Sequence, residues 1–498
     1  MRTSSYNILT RVDEQEGLYA ILNAYTQAFD IVNTEVYNYL RVNGENNKIT
    51  EETRDTLVKR GYLTSLSQKD ELELVKQLLD RAYDEARLKK NSFHFILSYD
   101  CNLRCVYCYE DPVLNGSMCL PKRQITKEQV DKAFEIIIEK NANGTNNKKI
   151  ALYGGEPFLA ENYDILIYIV EKGKGLGYSF SVTSNGYDID KYLDYIKDNK
   201  VFSFQITLDG IAEIHNKRKP HYKNEDSFEK ISANIDSLLK LGIPVTVRIN
   251  TDTYTMEYID QLLEFFKEKG WCKYKHFMAY CALLRKEITK KEDGLPSPKA
   301  IFTQSDFCRS YYNKKLFVLS EGKLKCQDYD TSDMLKSLLQ GKFLPYKGCF
   351  CGAQSAMIIF DPLGDVYSCW DVVGIREQRV GRYMPEFELD EELSKRWFDV
   401  RISEYKCVKC KYVLFCGGGC PSFSFRDKGK VEPGTCNDYP KLFTFLMRQV
   451  YNDYLKNSQI LISLENKHQL QLMVELFDRH EMKYTLVGID EVIYPGIN

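Results

Sequence analysis

Residues 93–108 read FHFILSYDCNLRCVYC. An apolar run, FHFILS, leads into three cysteines spaced C-x3-C-x2-C at Cys101, Cys105 and Cys108. The run has the length and composition of a buried strand. Loops at the carboxyl ends of strands are where α/β proteins place their active sites. A structural zinc site takes four ligands in a closed tetrahedron, and a cubane iron–sulfur cluster normally takes four thiolates. No fourth Cys or His follows Cys108 closely; the nearest, Cys119, breaks any ribbon spacing. Three thiols would leave one iron open to a small molecule. The competing reading is a zinc site completed by Cys119 or by a distant cysteine.

The rest of the chain limits its partners. Its 498 residues suggest about three domains. Lys and Arg total 68 against 70 Asp and Glu, a net charge of −2. A general nucleic-acid binder would need a basic surplus, so no nucleic acid is expected. No apolar run is long enough to span a membrane, and MRTSSYNILTRVDEQEG carries no apolar signal core. The cytoplasm is the expected location. Thiols stay reduced there, so the 16 cysteines are not read as disulfides. Eleven of them fall in 101–108 and 349–436, and clustered cysteines of this kind point to metal.

Residues 1–90 read as a small separate unit. YNILTRV and GLYAILNAY are strand-like around DEQEG, and two short amphipathic helices follow, the second capped by Thr50. The size and pattern are compatible with a winged-helix unit. Residues 91–285 alternate strands and helices: FHFILS, KIALY, YSFSVT, FSFQIT, PVTVRI and KHFMAY are the strands. Thr126 and Gln129 form a capping box at the first intervening helix. Near-continuous apolar strands of this kind predict parallel pairing with both faces buried. Periodicity fits a (β/α)6 partial barrel and a doubly wound sheet equally. Residues 286–345 read as a bridging region with one or two helices. Residues 346–440 are rich in cysteine and turns. Residues 441–498 hold a helix and a small βαβ-like appendix.

The first cysteine motif, with aromatic Tyr107 before its last cysteine, resembles the signature of the radical SAM superfamily. The other strand ends carry that family's features in order. YGGEP (153–157) ends the second strand, TSNG (183–186) the third, QITLDG (205–210) the fourth and VRIN (247–250) the fifth. The resemblance implies a (β/α)6 partial TIM barrel of the α/β class. It also implies a [4Fe–4S] cluster on Cys101, Cys105 and Cys108 whose open iron chelates S-adenosylmethionine, yielding a 5′-deoxyadenosyl radical. Gly154, Gly155, Glu156 and Pro157 would contact the nucleoside, Glu156 accepting from its amino group. Ser184 and Asn185 would meet its ribose or carboxylate. Thr207, Asp209, Arg218, Arg248 and Asn250 complete the expected set. His215 has two readings, a cofactor contact or a local hydrogen bond.

In the second group, MIIF and DVYSC flank the turn DPLG, so a hairpin brings Cys351 and Cys369 together. Cys407, Cys410, Cys416 and Cys420 then run C-x2-C-x5-C-x3-C, and Cys436 follows. Taken alone this would be a zinc ribbon. Together the seven resemble the SPASM extension of radical SAM peptide-modifying enzymes. The resemblance implies two auxiliary [4Fe–4S] clusters: an outer one on Cys407, Cys410, Cys416 and Cys436, and an inner one on Cys351, Cys369 and Cys420. Cys349, Cys326 or a substrate thiolate is left as the inner fourth ligand. Asp371 lies one residue beyond the family's usual base position, and is either that base or a turn residue. Cys119, Cys272, Cys281 and Cys308 read as packed thiols, with Cys281 nearest the expected active-site end.

These features predict a maturase that forms a Cys thioether in a ribosomally made precursor peptide. Its leader would be held by the N-terminal unit through strand addition, and flavodoxin or ferredoxin would supply electrons. The alternatives are a maturase of a protein target, such as a sulfatase residue or a quinohemoprotein subunit, and a zinc-binding protein without turnover.

Overall fold

The computed structural model describes residues 1–43, 49–89, 91–108, 110, 123–141, 148–284, 302–355 and 357–456. Cys119 and the expected appendix after residue 456 lie outside them.

The N-terminal unit contains β1 (Arg2–Thr3), β2 (Asn7–Asp13), β3 (Leu18–Asn23), β4 (Phe29–Val32) and β5 (Leu63–Thr64). Strands β2, β3 and β4 form an antiparallel sheet in that order, and β1 pairs with β5. Helices span Thr34–Arg41, Glu51–Lys59 and Gln68–Lys89; Thr50 caps the second as its sequence predicts. The unit does not stand apart. Tyr6 Oη donates to the Val408 carbonyl at 2.7 Å. Gln27 bonds Leu344 through both its amide nitrogen and its amide oxygen. Tyr6 and Ile8 belong to the same apolar core as Leu442 and Met447.

The centre is a run of parallel strands: β6 (Ser92–Ile96), β7 (Lys149–Tyr153), β8 (Ser179–Ser184), β9 (Phe202–Thr207), β10 (Val245–Thr251) and β11 (Phe277–Leu283). Each pairs with the next in chain order. The helix Lys127–Lys140 carries the full capping box of Thr126 and Gln129. Helices between the strands cover one face, where Phe180, Val182, Phe204, Val245, Val247 and Phe277 are buried.

The other face corrects the sequence reading. Ser181, Thr183, Ser203, Gln205, Thr246, Arg248 and Tyr280 alternate with that apolar row and remain partly exposed. Parallel pairing holds, but the second face lines an open polar lumen.

Two further pairings were not legible. Strand β12 (Leu324–Cys326), in the bridging region, adds parallel to β11 with Cys326 opposite Cys281. At the other edge, β13 (Met357–Phe360) pairs parallel with β6, Ile359 opposite His94. The hairpin continues through β14 (Asp365–Tyr367) to β15 (Gly381–Arg382) and β16 (Glu388–Leu389), making one eleven-stranded sheet. The barrel and the cysteine-rich region therefore share a sheet across the expected boundary.

Candidate active site

The loop after β6 carries Cys101, Cys105 and Cys108. Each thiol is an electrostatic neighbour of the others, and burial pushes all three above the ordinary thiol range. Protonated thiols of this kind ionise on binding a cation. Among the described residues no three His, Cys, Asp or Glu side chains converge on a single-ion position. A four-iron cube is wider than one ion, so its thiols stand farther apart.

The loop after β7 presses onto this loop. Gly155 has φ +48°, and a Cβ there would lie 2.3 Å from the Asp100 carbonyl oxygen; only glycine allows that approach. The Glu156 amide donates to the same carbonyl at 2.8 Å. Glu156 is buried, and burial raises its carboxyl to about 7. It accepts from the Phe158 amide at 2.8 Å, Ser184 Oγ at 2.7 Å and the Asn185 amide at 2.6 Å. A carboxylate has about four acceptor positions, so Glu156 chiefly ties the β7 and β8 loops together. Asn185 then reaches Asn102 Oδ1 at 2.7 Å and Cys101 Sγ at 3.6 Å. Pro157 is buried beside Glu156. Sequence reasoning missed Glu110, whose carboxylate accepts from the Gly155 amide at 2.7 Å.

The β9 and β10 loops form a second network. Tyr107 Oη donates to Asp209 Oδ2, and Asn250 donates to Asp209 through its amide at 2.8 Å and to Tyr107 Oη at 3.2 Å. Arg218 donates from Nη1 to Asp252 at 3.1 Å and lies over the Tyr107 ring. Its Nε and Nη2 are buried without a hydrogen-bond partner. Nε faces the Asp209 carboxylate at 3.7 Å, so the donor left for a ligand carboxylate is Nη2. Thr207 ends β9 buried. Arg248 is farther along the lumen, bonding Asn250 Oδ1 at 2.9 Å and Tyr280 Oη at 3.4 Å. His215 resolves to a local role: its Nδ1 accepts from the Asp209 amide at 3.0 Å.

The second group falls into two sets. Cys407, Cys410, Cys416 and Cys436 are mutual electrostatic neighbours. Cys351, Cys369 and Cys420 are another such group, the Cys351 thiol pushed up to about 12 by burial. The chain passes from one set to the other through Gly417–Gly419. A Cβ at Gly417, where φ is +68°, would lie 2.5 Å from the Cys349 carbonyl oxygen. Cys349 neighbours Cys351. Asp371 stands near Cys351 and Cys369, in the turn Trp370–Val372. Trp370 meets Tyr153 at 4.3 Å and His94 at 4.5 Å between ring centroids, both edge-on. It thereby bridges the inner set and the barrel. Cys326 goes elsewhere: its Sγ is 3.3 Å from that of Cys308, with Cys281 adjacent. Cys281 packs in the outer apolar layer, not in the lumen.

The fourth-strand and fifth-strand networks, the thiol loop and the idle guanidinium fit a cluster with a chelated amino acid. Residues 95–266 match the model of the radical SAM superfamily. The chain carries a radical SAM domain over these residues. A cysteine-type anaerobic sulfatase-maturating enzyme of Clostridium novyi is 27% identical over 362 residues, 68% of this chain and 89% of its own. A solved structure of native anSMEcpe with bound AdoMet and Cp18Cys peptide has a TM-score of 0.55 at 20% identity, over 74% of this chain and 99% of that one. Streptococcus suis SuiB bound to precursor peptide SuiA has a TM-score of 0.51 at 14% identity, over 87% of this chain and 99% of that one. Together these likenesses support a radical SAM maturase of the SPASM type, and with it S-adenosylmethionine and [4Fe–4S] chemistry. The reading as a zinc-binding protein without turnover is set aside. Among the described residues no helix is long and apolar enough to cross a membrane.

Proposed function

We propose that the radical SAM maturase joins a cysteine sulfur to a peptide carbon in a ribosomally made precursor. When bound, S-adenosylmethionine and the first cluster supply a 5′-deoxyadenosyl radical that takes a hydrogen atom from a substrate carbon. In this reading Gly154–Pro157, Ser184 and Asn185 shape the nucleoside's seat. Arg218 receives its carboxylate on Nη2, held in place by Asp209 and Asp252. Arg248, Gln205 and Tyr280 meet the substrate backbone in the lumen. Trp370 and Tyr153 screen the reacting carbon from water.

One observation carries the choice of a thioether. Cys351, Cys369 and Cys420 are mutual neighbours, while Cys349 is a neighbour of Cys351 alone among them. In this reading the fourth position takes a substrate thiolate rather than Cys349, with Asp371 near enough to that set to take the thiol's proton. The coupling removes one hydrogen atom from carbon, one proton from sulfur and one electron. Flavodoxin or ferredoxin supplies the one electron that cleaves S-adenosylmethionine, and Cys407, Cys410, Cys416 and Cys436 would hold the group that accepts the electron released by coupling. A reducing compartment, the cytoplasm, suits so many thiols.

The leader's seat is the edge of β4, which among the described residues has β3 as its one neighbour in the sheet. A groove of about 460 Å³ beside it is lined by Ile31, Val32, Val36 and Leu57, with Arg60 and Asp30 paired at 2.8 Å. An extended leader adding there would raise the local concentration of its core peptide. Co-expression with a short Cys-containing neighbouring reading frame should give a peptide lighter by two hydrogens with one thiol blocked. An unmodified peptide, or a free thiol with two hydrogens lost, contradicts this reading.

A second reading, oxidation of a sulfatase residue, is favoured by the names of the curated relatives. Against it, Trp370 separates Asp371 from Cys369. Conversion of a sulfatase-derived cysteine peptide to an aldehyde would establish it.

A further inference from the structure

The segment 102–106 is zipped antiparallel onto 218–222. The Val106 amide donates to the Arg218 carbonyl at 3.0 Å, Arg104 to Pro220 at 2.8 Å and Tyr222 to Asn102 at 3.1 Å, and Leu103 bridges His221. This register sets Cys105 opposite Lys219, in a pair that exchanges no backbone hydrogen bond. Side chains approach most closely in such pairs and lie on the same face. Pro220 faces Arg104 in a hydrogen-bonded pair and supplies only its carbonyl, having no N–H to donate in return.

Lys219 is 4% exposed. Cys105 is the foremost electrostatic neighbour of its ammonium, and no carboxylate among the described residues forms an ion pair with it. Its remaining charge neighbours are Asp209, Cys101 and Glu156. A buried ammonium without an ion-pair partner is expensive. The cost is recovered once anionic thiolates and a cluster stand opposite it.

We propose that Lys219 is a positioning residue for the radical-generating cluster: a fixed buried positive charge, set against Cys105, that favours the cluster's one-electron-reduced state. Reduction adds one negative charge, so a nearby cation stabilises the product more than the reactant. Net charge and hydrogen bonds to sulfur are known levers on such potentials. The inference rests on a cluster being held by Cys101, Cys105 and Cys108.

The test uses full-length reconstituted enzyme without S-adenosylmethionine, titrated electrochemically and followed by electron paramagnetic resonance. The relevant signal is the one that changes when S-adenosylmethionine is added. A wild type showing no such signal sinks the premise of a cluster at these cysteines rather than the role of Lys219. Lys219→Met should lower the reduced-to-oxidised ratio at a fixed potential about tenfold, which for one electron is about 59 mV. Lys219→Arg should restore it, with S-adenosylmethionine affinity near that of wild type in both. Should Lys219→Met lose iron, Lys219→Gln is read in its place. Loss of this cluster in both neutral variants with retention in Lys219→Arg also supports the assignment. A full iron complement with an unchanged midpoint in a neutral variant overturns it, as does loss of the cluster in all three. An unchanged midpoint with weakened nucleoside binding assigns Lys219 to the nucleoside instead.

Discussion

The outer and inner cysteine sets are cut from one stretch of chain, yet they differ in number. Four thiols meet in the outer set, and its Cys436 is exposed. Three meet in the inner set, beside Trp370 and the barrel. The first set, on the barrel itself, also has three. A site closed by four thiolates can pass electrons, whereas a site with three has room for a reactant. Position follows the same division: the two three-thiol sets flank the lumen, and the four-thiol set reaches the surface.

The largest expected effect breaks the first three-thiol set. Cys105→Ala should lose about four irons per chain, and 5′-deoxyadenosine formation should fall to background. A variant that still cleaves S-adenosylmethionine would end the comparison. Next, Cys420→Ala should abolish crosslinking while leaving S-adenosylmethionine cleavage measurable. Cys349→Ala, in contrast, should keep wild-type iron content and crosslinking. Iron loss in Cys349→Ala would make the inner set a closed four and erase its difference from the outer one. Asp371→Asn should slow crosslinking by about a hundredfold, a common worth of a general base, with S-adenosylmethionine cleavage unaffected. Equal loss of both activities would make Asp371 structural.

The smallest effect concerns stability. Asp361, in the turn of the β13–β14 hairpin that joins the inner set to the barrel, is buried. Burial raises its carboxyl from 3.8 to about 7. A folded value above the unfolded one means the folded chain binds more protons between them. Asp361's contribution is therefore complete below about pH 4 and is lost as pH rises toward 7. The metal-free wild type should lose about 2 °C more of melting temperature between pH 5 and pH 7.5 than Asp361→Asn. Parallel curves would contradict it.

What was legible followed from local rules. Ligands to one cluster must be close, so C-x3-C-x2-C is visible in eight residues. The capping box of Thr126 and Gln129 and the hairpin turn DPLG are equally local. The polar row Ser203, Gln205 and Arg248 was also in plain view, but hydrophobicity outweighed its alternation in the strand reading. The rest depends on contacts between distant residues. Nothing near Cys105 announces Lys219, because a register between two loops selects it. Nothing near Met357 says that it will join β6. Cys326 was a candidate for the inner set until β12 placed it against β11 and Cys308.

The central claim is that the inner set keeps one position for a substrate thiol. It is tested most directly by electron paramagnetic resonance of the reduced Cys101→Ala/Cys105→Ala/Cys108→Ala variant, which retains the auxiliary sets alone. Adding the cysteine-containing precursor should change one of the two remaining cluster signals, and a Cys→Ser precursor should leave both as they were. Identical spectra with and without the cysteine peptide, at concentrations where the peptide is bound, would contradict the account.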